Sequence, residues 1–247
     1  MKIGLFIPCF MNELYPEACM ATLKLLEDLG YDVEYPMEQT CCGQPQANTG
    51  CATEAKVLAE RFFKIFKDYD YIVAPSGSCV GMVRNHYGQW LNGREGFERM
   101  RSHTLELVEF LLEVAKVDNF NVSFPHKVGI HNTCHSHRGI DMGSMSEKNV
   151  PEFSKIKTIL ANVKGLSFAE LSRKDECCGF GGTFAVTEDA MSAAIGRARI
   201  QDHLDAGSEY ITGVDLSCMM HMDGIIRREK LPLKIIHIAQ ILAGENA

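Results

Sequence analysis

Residues 2–9 read KIGLFIPC, and residues 127–134 read KVGIHNTC. Both stretches place a short apolar run just before a cysteine, which is Cys9 in the first and Cys134 in the second. A short apolar run of this kind is typical of a buried strand in a parallel sheet. The match therefore predicts that the chain contains the same strand twice, each time followed by a thiol.

The remaining cysteines repeat in the same order. The triplet Cys-Cys-Gly occurs at 41–43 and again at 177–179, and a single cysteine follows the apolar runs 71–74 and 210–212. The repeated cysteines are Cys9, Cys41, Cys42 and Cys79 in the first half, and Cys134, Cys177, Cys178 and Cys218 in the second. Insertions account for offsets between the halves that grow from 125 to 139 residues. We predict a duplicated domain, with units at 1–120 and 121–247 joined near 119–127.

Apolar runs alternate with segments of helical period in both halves. The first half predicts strands at 3–7, 32–35 and 71–74 and helices at 17–29 and 53–66. The second half predicts strands at 128–131, 166–168, 210–212 and 233–236 and helices at 150–161 and 188–204. This alternation predicts an α/β fold of two pseudo-equivalent Rossmann-like units, each a parallel sheet flanked by helices. Because the carboxyl ends of parallel strands share one edge, we expect the four thiols of each half to meet there.

The composition of the chain argues against several classes of function and location. The chain is 46% apolar and 23% charged with a net charge of −7, which is ordinary for a globular protein and argues against a nucleic-acid partner. It lacks a run of about 18 apolar residues, and its amino terminus lacks the pattern of a signal peptide. We therefore expect no transmembrane segment and a cytoplasmic location, with any membrane association made through partners. In that compartment the ten cysteines are not expected to form structural disulfides.

Thiols in this arrangement favour a metal centre over simple packing. An isolated cysteine is typically a small buried apolar residue, and we apply that interpretation to Cys19 and Cys51. Four thiols gathered twice suit an iron–sulfur cluster or a soft metal ion. Structural zinc prefers ligand pairs two to four residues apart, which these adjacent pairs do not match well, so zinc stays open at one site.

Two phrases carry a family resemblance, PSGSCVGM at 75–82 and ECCGFGGTF at 176–184. With them, the chain resembles over its full length the CCG-domain (cysteine-rich domain) iron–sulfur proteins. Within these it is most similar to the lactate-utilisation protein A family, and more distantly to the cysteine-rich component of heterodisulfide reductase and the glycolate oxidase iron–sulfur subunit. The resemblance implies an iron–sulfur electron-transfer subunit of a system that oxidises L-lactate to pyruvate. It also implies two partner proteins, at least one holding iron–sulfur clusters, and a small 2-hydroxy acid as the substrate of the complex.

The chain departs from the wider family at one position in each half. The resemblance implies a closing C-x-x-C and five thiols around an unusual four-iron cluster, but here Met82 and His221 replace the last cysteine. Four remaining thiols suit a conventional [4Fe–4S] cluster better, and one or two such clusters are expected. We expect Met82 to pack and take His221 as a candidate further ligand at the second site, since imidazole binds iron.

Several alternatives stay open from the sequence. The chain is either an electron-transfer subunit, a redox enzyme that acts directly at a cysteine-ligated cluster as heterodisulfide reductase does, or a zinc-binding protein without a redox role. No catalytic residue is predicted. The histidines around Cys134 (His131, His135 and His137) are candidates for tuning that centre or relaying protons there. For Arg197 and Arg199 a carboxylate-binding role stays open, and we expect them to lie on a solvated helix face.

Overall fold

The computed structural model describes residues 1–245 and contains two four-stranded parallel sheets. The first sheet is formed by β1 (Lys2–Leu5), β2 (Asp32–Glu34), β3 (Tyr71–Ala74) and β4 (Thr104–Glu106). The second is formed by β5 (Lys127–Ile130), β6 (Ser167–Phe168), β7 (Tyr210–Gly213) and β8 (Lys234–His237). The strand orders, β2-β1-β3-β4 and β6-β5-β7-β8, are equivalent position by position. The predicted fold class of two Rossmann-like units is confirmed, while the boundary at residue 120 stays a prediction.

Helices connect and flank these strands. The first half contains α1 (Cys9–Leu14), α2 (Pro16–Asp28), α3 (Gln44–Asn48), α4 (Ala52–Phe66), α5 (Gly77–His86), α6 (Gly88–Leu91), α7 (Phe97–Ser102) and α8 (Leu107–Glu109), which continues as a π-helical turn, Phe110–Val114. The second half contains α9 (Cys134–Ile140), α10 (Lys155–Leu160), α11 (Phe184–Thr187), α12 (Asp189–Asp205), α13 (Leu216–Glu229) and α14 (Ile238–Leu242). Among residues 1–245, none of these helices has both the length and the apolar character needed to cross a bilayer.

One predicted helix is shorter than expected. The segment 150–161 predicts a helix, but α10 begins only at Lys155. Pro151 disfavours helical backbone at the residue before it, and Ser154 supplies the start signal. The Ser154 hydroxyl accepts a hydrogen bond from the backbone N–H of Lys157 at 3.2 Å, which is N-capping geometry.

The glycine shared by the two matched strands has the same purpose in both. A Cβ at Gly4 would lie 2.8 Å from the ring of Tyr69, and a Cβ at Gly129 would lie 2.2 Å from Nδ1 of His203. Each glycine therefore lets an aromatic ring pack directly on the strand backbone. The repeated sequence thus encodes the same close packing on β1 and β5.

The two halves meet along a shared apolar core and a buried polar contact. Helix α5 packs on α9, and α14 packs on α2. Where α5 begins, the Ser76 hydroxyl donates to Oδ1 of Asp215 at 3.1 Å, and the backbone N–H of Gly77 donates to the carbonyl of Val214 at 3.2 Å. Ser76 and Asp215 are equivalent N-cap positions of the two halves, so the contact joins the repeats through corresponding residues.

Candidate metal centres

The four repeated cysteines of the first half follow three strands of its sheet. Cys9 opens α1 directly after β1, Cys41 and Cys42 precede α3, and Cys79 follows β3. Cys79 lies inside the first turn of α5. There its backbone N–H donates to the hydroxyl of the N-cap residue Ser76 at 3.4 Å.

These four side chains come together at the carboxyl edge of the first sheet. Cys41 lies against both Cys9 and Cys42, and the Sγ atoms of Cys42 and Cys79 are 3.6 Å apart. Cys42 and Cys79 are buried, Cys41 is half-buried and Cys9 is exposed. We call this set the first thiol group (Cys9, Cys41, Cys42 and Cys79). It extends from the apolar core to the surface.

Charge in the first thiol group is concentrated on one sulfur. Hydrogen bonds from Cys42 and from Cys9 lower the pKa of Cys41 to about 3, and the backbone N–H of Gly43 donates to its Sγ at 3.3 Å. The donated hydrogen bond raises the pKa of Cys9, and burial adds to this. The same two causes raise the pKa of Cys42. The group is thus organised around a thiolate at Cys41, the protonation state that binds metal.

The second half repeats this arrangement. Cys134 opens α9 after β5, Cys177 and Cys178 follow β6, and Cys218 lies in the first turn of α13 after β7. Cys177 lies against Cys134 and Cys178, and Cys178 in turn lies against Cys218. Cys178 and Cys218 are buried, Cys134 is half-buried and Cys177 is exposed. We call this set the second thiol group (Cys134, Cys177, Cys178 and Cys218).

The second thiol group also carries one favoured thiolate. Hydrogen bonds from Cys134 and from Cys178 lower the pKa of Cys177 to about 2. Backbone N–H groups add to this, since Gly179 donates to Sγ of Cys177 at 3.3 Å and Phe180 donates to Sγ of Cys178 at 3.5 Å. Both triplets therefore turn their backbone toward sulfur, as an anionic metal centre requires.

A histidine distinguishes the second thiol group from the first. A ring nitrogen of His131 and the sulfurs of Cys178 and Cys218 lie within 4.8 Å of one another, and all three residues are buried. Burial, with a further effect of the Arg199 cation, holds the pKa of His131 well below its usual range. The residue equivalent to His131 in the first half is Phe6, which is fully buried in an aromatic cluster. The two groups therefore have thiols at equivalent positions, but a histidine lies beside the second group where the first half has a phenylalanine.

The structure places the other candidate residues as follows. His221 lies beside the second triplet, with its Nε2 3.3 Å from the carbonyl oxygen of Ser192 and its ring 6.0 Å from that of Phe180. Its role as a ligand stays a prediction. Met82 is buried in the apolar core. His135 is exposed and its Nδ1 lies 3.7 Å from Sγ of Cys134.

The expectation of a solvated Arg199 is wrong. Arg199 is fully buried, and its Nε donates to Nδ1 of His131 at 3.2 Å while Nη1 donates to Oδ2 of Asp202 at 3.1 Å. The inner face of α12 is formed by its buried residues, and Arg199 is one of them (Ser192, Gly196, Arg199, Ile200, Asp202 and His203). Arg197 lies on the outer face and pairs with Glu229 at 2.6 Å.

The two unrepeated cysteines behave differently from each other. Cys19 is buried on α2 as expected, and its thiol donates to the carbonyl of Tyr15 at 3.6 Å. Cys51 is exposed, so the expectation that it packs as a small apolar residue is wrong. It sits at the N-cap of α4, where the chain returns to the surface. Neither belongs to a thiol group.

Two cavities are lined by residues of the second half. One, of about 290 Å³, lies at the carboxyl edge of the second sheet and is lined by the segment 144–154 together with Asn132 and Asp175. The other, of about 320 Å³, lies between the halves and is lined by Gln44, Gly81, Cys134 and Arg138. Cys134 therefore faces the second cavity.

A family model and the curated relatives place the chain in the same family. The family model for the CCG cysteine-rich domain matches residues 3–84 and 128–223, which are the two repeats. Lactate utilization protein A of Geobacillus thermodenitrificans (strain NG80-2) is 35% identical over 250 residues, covering 100% of both chains. The protein of the same name from Exiguobacterium sp. (strain ATCC BAA-1283 / AT1b) is 36% identical, covering 98% of this chain and 96% of its own. Among solved structures, the complex of the TorS sensor domain with TorT aligns with a TM-score of 0.32 at 8% identity, covering 96% of this chain and 72% of that one.

Proposed function

Since this chain belongs to the CCG cysteine-rich domain family, and to the lactate utilization protein A family within it, we propose that it is an iron–sulfur electron-transfer subunit in the oxidation of L-lactate to pyruvate. The observation that carries the proposal is the pair of thiol groups, each bringing four sulfurs to the carboxyl edge of a parallel sheet. The name of the relatives supports the link to lactate, and the two thiol groups support iron–sulfur electron transfer.

The side chains present fit an iron–sulfur cluster in type and number. Four thiolates are the usual ligand set of a [4Fe–4S] cluster. The first thiol group would hold one cluster and the second thiol group another, with His221 as a candidate further ligand at the second. A bound cluster supplies one-electron storage. The protein's own residues hold sulfur in its anionic form through Gly43, Gly179 and Phe180 and shield the buried side of each centre from water.

Exposure supports an electron-transfer role. Cys9 and Cys177 are exposed while Cys42 and Cys178 are buried, so each centre would have one face at the surface and one in the core. An exposed face is where a partner can approach closely enough to exchange electrons. We propose two partner proteins, at least one carrying iron–sulfur clusters, with a 2-hydroxy acid as the substrate of the complex. A cytoplasmic location, with any membrane association made through the partners, belongs to the same proposal.

One distance favours a second candidate function. Two thiolates on a tetrahedral zinc ion with bonds near 2.3 Å are roughly 3.8 Å apart. The 3.6 Å between the sulfurs of Cys42 and Cys79 is close to that value. A zinc-binding protein without a redox role is therefore the alternative, with zinc at the first thiol group.

Metal analysis of anaerobically purified protein decides between the iron–sulfur function and the zinc-binding function. We expect iron and acid-labile sulfide in equal amounts, and an electron paramagnetic resonance (EPR) signal after reduction. Cys42→Ser and Cys178→Ser should each lose the iron of one centre, whereas Cys51→Ser, at an exposed thiol outside both groups, should lose none. Zinc without iron or sulfide would exclude the redox function. A signal that changes when lactate is added without partners would instead favour direct chemistry at the cluster.

A further inference from the structure

The side chain of Arg199 fixes the orientation of His131. Arg199 is fully buried, and its guanidinium is held by the carbonyl of Arg173, by the carboxylate of Asp202 and by Nδ1 of His131. An arginine has donors and no acceptor, so in its 3.2 Å contact with His131 the histidine nitrogen must accept. Nδ1 therefore carries a lone pair and no hydrogen.

The tautomer of His131 follows from that contact. A neutral imidazole carries one N–H, and with Nδ1 accepting, the hydrogen is on Nε2. Among residues 1–245, Nε2 of His131 is buried and has no hydrogen-bond partner. The imidazole lies within 4.8 Å of the sulfurs of Cys178 and Cys218. An unpaired buried donor needs an acceptor, and the second thiol group offers sulfur acceptors within that distance of the ring.

We propose that His131 donates an Nε2–H hydrogen bond to the sulfur of the second centre and is not a metal ligand, and that Arg199 is the positioning residue that imposes this role. The inference rests on the proposed function for the centre that receives the bond. A ligating Nε2 would need its lone pair, which the Arg199 contact denies it. His131 and His221 thus differ, since no arginine contact constrains His221 within the described residues.

At the position equivalent to His131, the first centre has a side chain that cannot donate a hydrogen bond. Phe6 occupies the position of His131 and packs edge-on against Phe62, with ring centroids 4.9 Å apart. Hydrogen bonds to cluster sulfur stabilise the added negative charge of the reduced state and raise the reduction potential. The two centres, although each has four thiols at equivalent positions, are therefore inequivalent, because His131 raises the potential of the second and Phe6 cannot do so at the first.

The tautomer can be measured without any metal. Long-range ¹H–¹⁵N correlation spectra of metal-free protein with ¹⁵N-labelled histidine distinguish a protonated Nε2 from a protonated Nδ1, and the His131→Phe variant assigns the signal. We expect His131 as the Nε2–H tautomer. An Nδ1–H tautomer would overturn the inference whatever the protein binds.

The potential is measured on the cluster-loaded protein. His131→Phe, which installs the residue of the first half, should lower the midpoint potential of the second centre and leave the first unchanged. The matched control is His126→Phe, because the partly exposed His126 lies before β5, at the edge of the sheet opposite the cysteines. An unchanged potential at full iron content would refute the inference.

If the His131→Phe variant does not assemble its centre, spectroscopy of the wild-type protein can still test the inference. Pulsed EPR of wild-type protein with ¹⁵N-histidine should show a weakly coupled nitrogen and an exchangeable proton at the second centre. The strong coupling of a nitrogen bound directly to iron, retained in His221→Gln, would show that His131 is a ligand. Absence of iron would remove the proposed function, while the tautomer result would still stand.

Discussion

The glycine of each Cys-Cys-Gly triplet is the residue that turns the backbone toward sulfur. Gly43 has φ +84° and Gly179 has φ +88°, both in the left-handed region that other residues rarely adopt. In this conformation the N–H of each glycine reaches the sulfur of the first cysteine of its triplet at 3.3 Å. The unusual triplet is therefore explained by backbone geometry as well as by metal chemistry.

Gly179→Ala tests this explanation, because a Cβ at that position would also lie 2.5 Å from the carbonyl oxygen of Ser192. We expect a loss of roughly 2–4 kcal/mol in unfolding free energy, from the left-handed backbone and the clash together. The control is Gly50→Ala, which has φ +81° and nothing within 4 Å, so it should lose only about 1 kcal/mol. Denaturant unfolding of metal-free protein measures both variants, and equal losses would contradict the role of Ser192.

At the scale of single elements, helices α8 and α14 begin with equivalent caps. Glu106 accepts from the backbone N–H of Val108, and His237 accepts through Nδ1 from the N–H of Ala239 at 3.2 Å. Each cap is completed by the side chain three residues on, Glu109 or Gln240, as in a capping box. A capping histidine works only while Nδ1 is unprotonated, which links the start of α14 to pH.

Stability at acid pH should depend on His237. Burial lowers its pKa to about 4 in the folded protein, against about 6.5 in the unfolded chain. Between these values the unfolded state binds a proton that the folded state does not, so stability is complete above pH 6.5 and falls as pH drops toward 4. The expected slope is about 1.4 kcal/mol per pH unit.

His237→Asn isolates that contribution, because asparagine also caps helices but does not titrate. Unfolding free energies of both proteins at several pH values between 7 and 4 give the difference, in which the other buried histidines cancel. We expect the variant to lose the slope of one proton across this window. Parallel curves for wild type and variant would show that His237 is not neutral in the folded state.

Helix α5 offers a matched pair of glycines where it packs on α9. A Cβ at Gly77 would lie 2.0 Å from Oγ of the buried Ser136, whereas a Cβ at Gly81 would meet only the carbonyl of His135 at 4.0 Å. Gly77→Ala should therefore lose roughly 1–3 kcal/mol or more in unfolding free energy by forcing the two helices apart. Gly81→Ala should be neutral or gain up to about 1 kcal/mol from helix propensity. Thermal unfolding compares them, and similar midpoints would mean that the α5–α9 contact is not tight.

At the scale of strands and helices, much of the structure could be predicted from the sequence. Strands β1, β3, β5 and β7 and all eight repeated cysteines follow from local apolar runs and from the duplication, because each strand end carries its own thiol. Arg199 could not be placed so easily, since its burial depends on acceptors at His131 and Arg173 that are distant in the chain. The exposure of Cys51 escapes prediction for a related reason, because apolar character alone does not say whether a helix start lies at the surface.

For the whole molecule, one carboxylate joins the two halves beside both thiol groups. Asp215 is buried and accepts hydrogen bonds from the backbone N–H and the hydroxyl of Ser78, at 2.8 and 2.7 Å. It also accepts from Thr133 at 3.4 Å. Ser78 precedes Cys79 and Thr133 precedes Cys134, so a single side chain anchors a cysteine of each group. Burial raises the pKa of this carboxyl, and the donors around it oppose that shift.

Asp215→Ala should consequently weaken both centres at once. Removing the acceptor leaves several buried donors unpaired, at about 1–3 kcal/mol each, so we expect a loss of at least about 3 kcal/mol in unfolding free energy. Iron should fall at the first and second centres together, unlike the loss at one centre expected for a cysteine variant. Glu229→Ala is the control, because it removes only the exposed pair with Arg197 at the far end of α13 and should cost less than about 1 kcal/mol. Loss of iron from the second centre alone would mean that each repeat holds its centre independently, and that the buried contact between Ser78 and Asp215 only joins two self-sufficient halves.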